Sequence, residues 1–366
     1  MKRVFVYGIV LIFLAACREP SPTIVPPTQT IQVPTTTNIP SKTPTLTLIP
    51  FISFTDTPQP SKTSSSTATW TNTPEVKAGE LAANIISELC QNIGARITGG
   101  EQEEIAAQYI ISIFNRLGYE TYQQPFTAMR RKTDTSYHSA NVITKKVGIT
   151  PHRIIVGAHY DSVAVGCGAD DNASGVAVML EVADKIRNVE TPYTILFVAF
   201  GAEEDGMKGS KSYVSQMTRE EIDNTVLMVN LDSLIAGDIS YVYGNLGDEG
   251  IARDWALLKA GELGLPLITQ PGDNPEFPVG TTCDCSDHAP FLSVGIQYIY
   301  FESTNWALGD KDGYQQTSKE YGESGEIWHT QFDTVTYIKY IFPDRIEEHL
   351  SIFTTILLDL LTQYSE

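Results

Sequence analysis

Basic residues are the first shortage in this chain: 25 Lys and Arg stand against 44 Asp and Glu, a formal charge of −19 over 366 residues. That balance excludes attraction to nucleic acid or to an anionic membrane surface through general electrostatics. Most of the acids read as a solvated face. Long apolar runs are also missing. The N-terminal run Val4 to Leu14 falls well short of the roughly 20 residues that span a bilayer. Three familiar catalytic or cofactor signatures are absent as well. There is no G-x-S-x-G elbow and no P-loop, and Gly166-Cys167-Gly168 lacks the third glycine and the following helix of a dinucleotide fingerprint. There is no C-x-x-C; Cys283-Asp284-Cys285 is closer-spaced, and no second pair follows.

What is present begins at the N-terminus. Lys2-Arg3, the apolar run and Leu14-Ala15-Ala16-Cys17 form a secretory signal whose terminal cysteine makes it a lipobox. The expected mature chain starts at a diacylated Cys17, lipid-anchored to a bacterial membrane on its extracytoplasmic side. Loss of Lys2 and Arg3, two positive charges, takes the formal charge from −19 to −21. Residues 18–74 are rich in Thr, Pro and Ser and poor in apolar side chains, the composition of a disordered tether. A small β-domain around Leu46 to Phe54 is the weaker alternative, because Pro44, Pro50 and Pro58 punctuate its one apolar patch. With Cys17 assigned to lipid, Cys90, Cys167, Cys283 and Cys285 remain, and export permits their oxidation. Their pairing is left open.

Residues 75–366 read as one α/β domain. Helical spacing of apolar residues at Leu81, Ile85, Ile86 and Leu89, and again from Ile105 to Leu117, predicts two helices, and rough alternation in Tyr119 to Phe126 and Ala140 to Ile143 predicts outer strands. Arg153 to Ala158 and Tyr193 to Phe200 are continuous apolar runs, as in central strands buried on both faces, and the periodic segment Val176 to Ile186 between them makes a parallel crossover. Further strands are expected at Thr225 to Leu231, Ile239 to Tyr243 and Gln297 to Phe301, with helices near Lys208 to Gln216, Ile251 to Leu263 and Arg345 to Leu361. The fold class is therefore α/β, with a mixed, mainly parallel central sheet sandwiched by helices.

Metal-ligand-type residues fall in short clusters along this pattern: G-A-H-Y-D-S around His159 and Asp161, G-A-D-D-N-A-S-G around Asp171, A-E-E with Glu203 and Glu204, N-L-D-S with Asp232, and W-H-T with His329. His159, Glu204 and Asp232 each come just after a predicted strand, where open α/β sheets collect ligands. Read singly, the clusters are weak: Asp170, Asp171 and Asn172 suit a helix cap as well as a ligand, and adjacent acids are common in solvated loops. Their order and context carry the signal.

Together the clusters resemble the co-catalytic zinc aminopeptidases of family M28, and the resemblance runs from about Glu75 to the C-terminus. It implies a zinc-dependent exopeptidase fold and removal of N-terminal residues from peptides. It implies two zinc ions, one on His159 and Asp232, the other on Glu204 and His329, with Asp171 shared. Glu203 is then the general base and Asp161 the residue that orients the histidine. Ser286-Asp287-His288 resembles the S-D-H element of these enzymes, with Asp287 and His288 expected to shape the pocket. Some relatives carry a Tyr shortly before this element, whereas Thr281 to Cys285 has none. Rival readings are a glutaminyl cyclase, which resembles this fold with one zinc, a carboxypeptidase with a basic pocket, and a non-catalytic surface-binding ectodomain that has lost a ligand or the base. Pocket walls are expected from Asp273 to Thr282 and Asn305 to Glu320.

Overall fold

Apolar runs that are buried on both faces become the centre of an eight-stranded sheet in a computed structural model that describes residues 77–365. The chain divides into two units, 1–69 and 70–366, and every described residue belongs to the second. The expected lipoprotein signal at 1–17 and tether at 18–74 lie outside the described residues.

The strands are β1 (Thr121–Met129), β2 (Ser136–Lys146), β3 (Thr150–His159), β4 (Tyr193–Phe200), β5 (Thr225–Leu231), β6 (Ile239–Gly244), β7 (Leu267–Ile268) and β8 (Tyr298–Thr304). Their order is β1-β2-β4-β3-β5-β8-β6-β7. The central four, β4-β3-β5-β8, run parallel, while β1 and β2 on one side and β6 on the other are antiparallel to their inner neighbours. The expected mixed, mainly parallel sheet is observed.

Helices cover both faces: α1 (Glu80–Ser87), α2 (Glu101–Arg116), α3 (Gly175–Ile186), α4 (Lys208–Gln216), α5 (Arg219–Asp223), α6 (Ile251–Leu263), α7 (His288–Leu292), α8 (Val335–Ile341) and α9 (Arg345–Gln363). Strand alternation assigns successive side chains to opposite cores. Ile195, Phe197 and Ala199 of β4 pack with α1, α2, α3, α6, α8 and α9, and Leu196, Val198 and Phe200 pack with α4 and α7. The eight-residue apolar run of β4 is thus consumed by two cores at once. The short α5, α7 and α8 and the two-residue β7 were not expected, since none is long enough to show a period.

Two disulfides close within the described residues, Cys90–Cys167 and Cys283–Cys285. The first ties the segment after α1 to the loop that leads into α3, and the second sits in the loop before α7. Among the described residues no helix is long and apolar enough to cross a membrane.

Candidate metal centre

Three parallel strands end at one edge of the sheet, and each delivers a polar side chain there. His159 is the last residue of β3, Asp232 directly follows β5, and Glu203 and Glu204 lie just past the end of β4. Asp171 comes from the turn Ala169–Ser174 that opens α3, and His329 from the loop before α8.

The five expected ligands converge in two groups, His159 with Asp171 and Asp232, and Asp171 with Glu204 and His329, whose donor atoms lie within 4.8 Å of one another in each group. Asp171 belongs to both. Its Oδ1 is 3.1 Å from His159 Nε2 and its Oδ2 is 2.9 Å from His329 Nε2. Asp232 Oδ1 is 3.4 Å from the same His159 nitrogen, and Glu204 Oε2 is 3.2 Å from His329 Nε2. The choice between cap and ligand at the Asp170-Asp171-Asn172 turn resolves residue by residue. Asn172 accepts the Gly175 N–H at 2.9 Å as a cap does, and Asp171 turns to the histidines. The Asp171–Asn172 peptide is cis.

This electrostatic pattern fits cations. The carboxylates around His159 outweigh its burial and hold it well above the usual histidine range. Hydrogen bonds to Asp171 and Glu204 push His329 up to about 11, and those same histidines pull Asp171 far below the ordinary carboxylate range against its burial. Burial and the neighbouring Asp171 push Glu204 up to about 7. Its Oε1 is buried without a hydrogen-bond partner. Two imidazoles and three carboxylates, one of them with an orphaned oxygen, form a nitrogen and oxygen donor set of the kind catalytic zinc takes. The residues therefore fit zinc ions.

Further residues hold this set in place. Asp161, expected to orient the histidine, reaches it through its backbone carbonyl, and its carboxylate has further partners. Its carboxylate accepts the Thr98 hydroxyl at 2.6 Å and the backbone N–H groups of Glu203 at 2.9 Å and Glu204 at 3.2 Å. His159 Nδ1 is nearer the Asp161 carbonyl, 3.2 Å, than its carboxylate, 3.5 Å. β3 ends at His159, so strand alternation alone does not set the relation between the two side chains.

Ser286 donates to Asp232 Oδ2 at 2.7 Å and accepts from Asn230 at 2.8 Å. Its neighbours Asp287 and His288 are wholly buried and outside the cleft lining, and the His288 ring lies 5.1 Å from that of Tyr300, which does line it.

Sequence reasoning missed two supporting residues. Asp333 accepts the backbone N–H of Asp170 at 2.7 Å and of Asp171 at 3.1 Å, fixing the turn that presents Asp171. Arg96, with no exposed surface, donates to the carbonyls of Tyr160 (2.6 Å), Cys167 (2.6 Å) and Gly168 (2.9 Å). Gly168 has φ +61°, and a side chain there would press on the Arg96 guanidinium. Three non-glycine residues at the site also adopt positive φ: Ala202 before Glu203, Ser233 after Asp232, and His329 itself. Such conformations persist where surrounding structure enforces them and cluster at functional sites.

Glu203 opens into the cleft over the donor groups, together with Tyr300, Glu302, Tyr314 and Trp328. Burial pushes its carboxyl well up, with His159 opposing and Asp287 reinforcing the shift. Of the expected wall segments, Asn305 to Glu320 contributes Asp312 to Tyr314, whereas Asp273 to Thr282 contributes only its last residue and the wall continues through Cys283 and Cys285.

Comparison with known proteins places the chain in a family. The profile of peptidase family M28 matches residues 141–354. The alkaline phosphatase isozyme conversion protein of Escherichia coli is 34% identical over 317 residues, covering 79% of this chain and 92% of that protein. Aminopeptidase YwaD of Bacillus subtilis is 33% identical over 63% of this chain, which spans only 47% of that longer relative. Among solved structures, a zinc aminopeptidase from Bacillus subtilis superposes with a TM-score of 0.63 at 19% identity, over 79% of this chain and 96% of its own. The glutaminyl cyclase of Fimbriiglobus ruber superposes at 0.59 and 20% identity, over 77% and 94%. The structural likenesses concern the fold.

Proposed function

The chain belongs to peptidase family M28, and from that premise we propose that it is an aminopeptidase holding two zinc ions, one on His159, Asp171 and Asp232 and one on Asp171, Glu204 and His329. One observation carries the reading: two donor groups joined through Asp171 lie beside a cleft that Glu203 lines and that, among the described residues, no Lys or Arg lines. An anionic cleft suits a substrate with a free α-ammonium group. It disfavours a carboxypeptidase, which needs a cation for the substrate carboxylate.

When bound, zinc supplies Lewis acidity that acidifies a water and polarises a carbonyl. Glu203 accepts the proton of the attacking water and returns it to the departing amine, a role for which its raised proton affinity and position in the cleft suit it. Asp161 holds the backbone of both Glu203 and Glu204, so base and ligand keep a fixed spacing. The Asp161 carbonyl beside His159 Nδ1 fixes the ring with Nε2 toward the carboxylates. Ser286 ties down Asp232 Oδ2 and leaves Oδ1 facing His159.

Mass spectrometry of a short peptide, its N-acetylated copy and a chelated control tests this function. Stepwise loss from the free N-terminus alone is expected. C-terminal shortening, or ammonia loss from an N-terminal Gln without chain shortening, would replace it with a carboxypeptidase or cyclase.

We also propose, from the lipobox reading at Cys17, that the enzyme works outside the cytoplasm on a lipid anchor. Cys17→Ser should then move the protein from the membrane to the soluble fraction. Unchanged membrane association would refute the anchor.

A further inference from the structure

His329 is held differently from the other four donors. Its side chain is 58% exposed, whereas those of His159, Asp171, Glu204 and Asp232 are 2%, 8%, 9% and 11% exposed. It lies in no helix or strand, and its φ is +56°. A non-glycine residue keeps a left-handed backbone only where its surroundings enforce it. An exposed ring supplies little of that force, so the force has to come through the backbone of the loop.

The two backbone N–H groups that lead into His329, those of Ile327 and Trp328, donate at 2.9 and 2.8 Å to one atom, Gln316 Oε1. An amide oxygen has two acceptor positions, and both are filled. At the other side of the same amide, Nε2 donates to Asp170 Oδ2 at 2.6 Å. Asp170 directly precedes Asp171, and its Oδ1 takes the N–H groups of Ile235 and Ala236 at 2.7 and 2.9 Å, on the segment that follows Asp232. Gln316 has no exposed surface. Its own backbone is fixed as well, its N–H donating to the Gly325 carbonyl at 3.0 Å and its carbonyl accepting the Asp238 N–H at 2.9 Å. One buried amide thus joins the loop that carries His329 to the turn that carries Asp171, and through Asp170 to the segment after Asp232. Without it the two N–H groups need other partners, and buried donors left unpaired are costly enough to shift a loop toward water.

We propose that Gln316 is the positioning residue of the second metal site: its side-chain amide, set between Asp170 and the Ile327 and Trp328 N–H groups, holds His329 against Asp171 and Glu204. The role rests on the two-zinc reading and goes beyond it, because Gln316 is neither a metal donor nor part of the cleft lining.

The test compares the full-length wild type with Gln316→Met, which keeps the length of the side chain without its polar atoms, and Gln316→Glu, which keeps an oxygen for the two N–H groups. In a zinc titration followed by calorimetry, the wild type should bind two ions. Gln316→Met should keep the first and bind the second roughly 10- to 100-fold more weakly, with excess zinc restoring its kcat, and Gln316→Glu should lie nearer the wild type. Unchanged affinity for both ions in Gln316→Met overturns the proposal. Equal weakening of both does so too, since that marks a general support and not a link to His329.

Hydrogen exchange of the zinc-free proteins, followed by nuclear magnetic resonance, supplies a readout that needs neither metal nor turnover. In the wild type the Ile327 and Trp328 amides should be protected by roughly 100-fold or more over an unfolded chain, and Gln316→Met should lose that protection while β3 and β5 keep theirs. Freely exchanging amides in the wild type overturn the proposal whether or not the variant folds. A wild type that takes up fewer than two zinc ions while this exchange pattern holds refutes the two-zinc reading and leaves the hold on His329 standing.

Discussion

The carboxylate of Asp161 accepts the backbone N–H of Glu203 at 2.9 Å, so a residue that follows β3 fixes the position of a residue that follows β4. The same carboxylate takes the Glu204 N–H and the Thr98 hydroxyl, which fills most of its acceptor capacity. Three segments far apart in sequence are thereby locked into one geometry.

Asp161→Asn puts an amide donor where one of those N–H groups needs an acceptor. We expect kcat to fall by roughly 10- to 100-fold with little loss of bound zinc. Paired kinetics and metal analysis check this. An unchanged kcat would mean that the Asp161 contacts do not position the base.

Asp171 is shared, so its removal should cost more metal than removal of either histidine. Dialysed wild type should hold two zinc ions, His329→Ala about one, and Asp171→Ala fewer than one. Elemental analysis of the three proteins decides it. Two zincs retained by Asp171→Ala would rule out the shared ligand.

Arg96 is a fully buried cation that gathers three carbonyls of the connection between β3 and α3, and burial lowers its proton affinity against the pull of Asp333 and Asp161. Arg96→Met leaves those carbonyls unpaired and the acids without a counter-charge. A loss of roughly 3–5 kcal/mol is expected, read from the denaturant midpoint of the zinc-free protein. A midpoint within error of the wild type would show that the loops hold without it.

His288 and His349 are buried and held down to about 4, His288 by burial and His349 by burial and the adjacent Arg345. An unfolded histidine titrates near 6.5, so between roughly 6.5 and 4 the unfolded chain binds more protons than the folded one. These groups lose their stabilising effect as pH falls through that window and change nothing above it. In His349→Gln the fall in stability from pH 6.5 to pH 4 should be shallower by roughly 1 kcal/mol per pH unit. Parallel pH profiles for wild type and variant would contradict the buried neutral state.

Much of the centre could be read from sequence because buried parallel strands write continuous apolar runs, and their ends mark where ligands gather. The β4 bounds, the position of His159 at the end of β3 and those of Glu204 and Asp232 beyond β4 and β5 follow from that one regularity. Asp171 could not be separated from a cap by its neighbours, because what distinguishes it is the approach of His159 and His329 across 12 and 158 positions of chain. Arg96 and Asp333 were invisible for a related reason: their partners are backbone groups of distant loops, and backbone contacts leave no residue-type signature.

The account turns on Glu203 moving the proton over an intact metal centre, and the Glu203→Gln variant addresses this most directly through zinc content and kcat measured on the same sample. The prediction is two zinc ions per chain, as in the wild type, with kcat lowered by roughly 10²- to 10⁴-fold. Near-normal turnover with full zinc would contradict it and assign the proton transfer to another group.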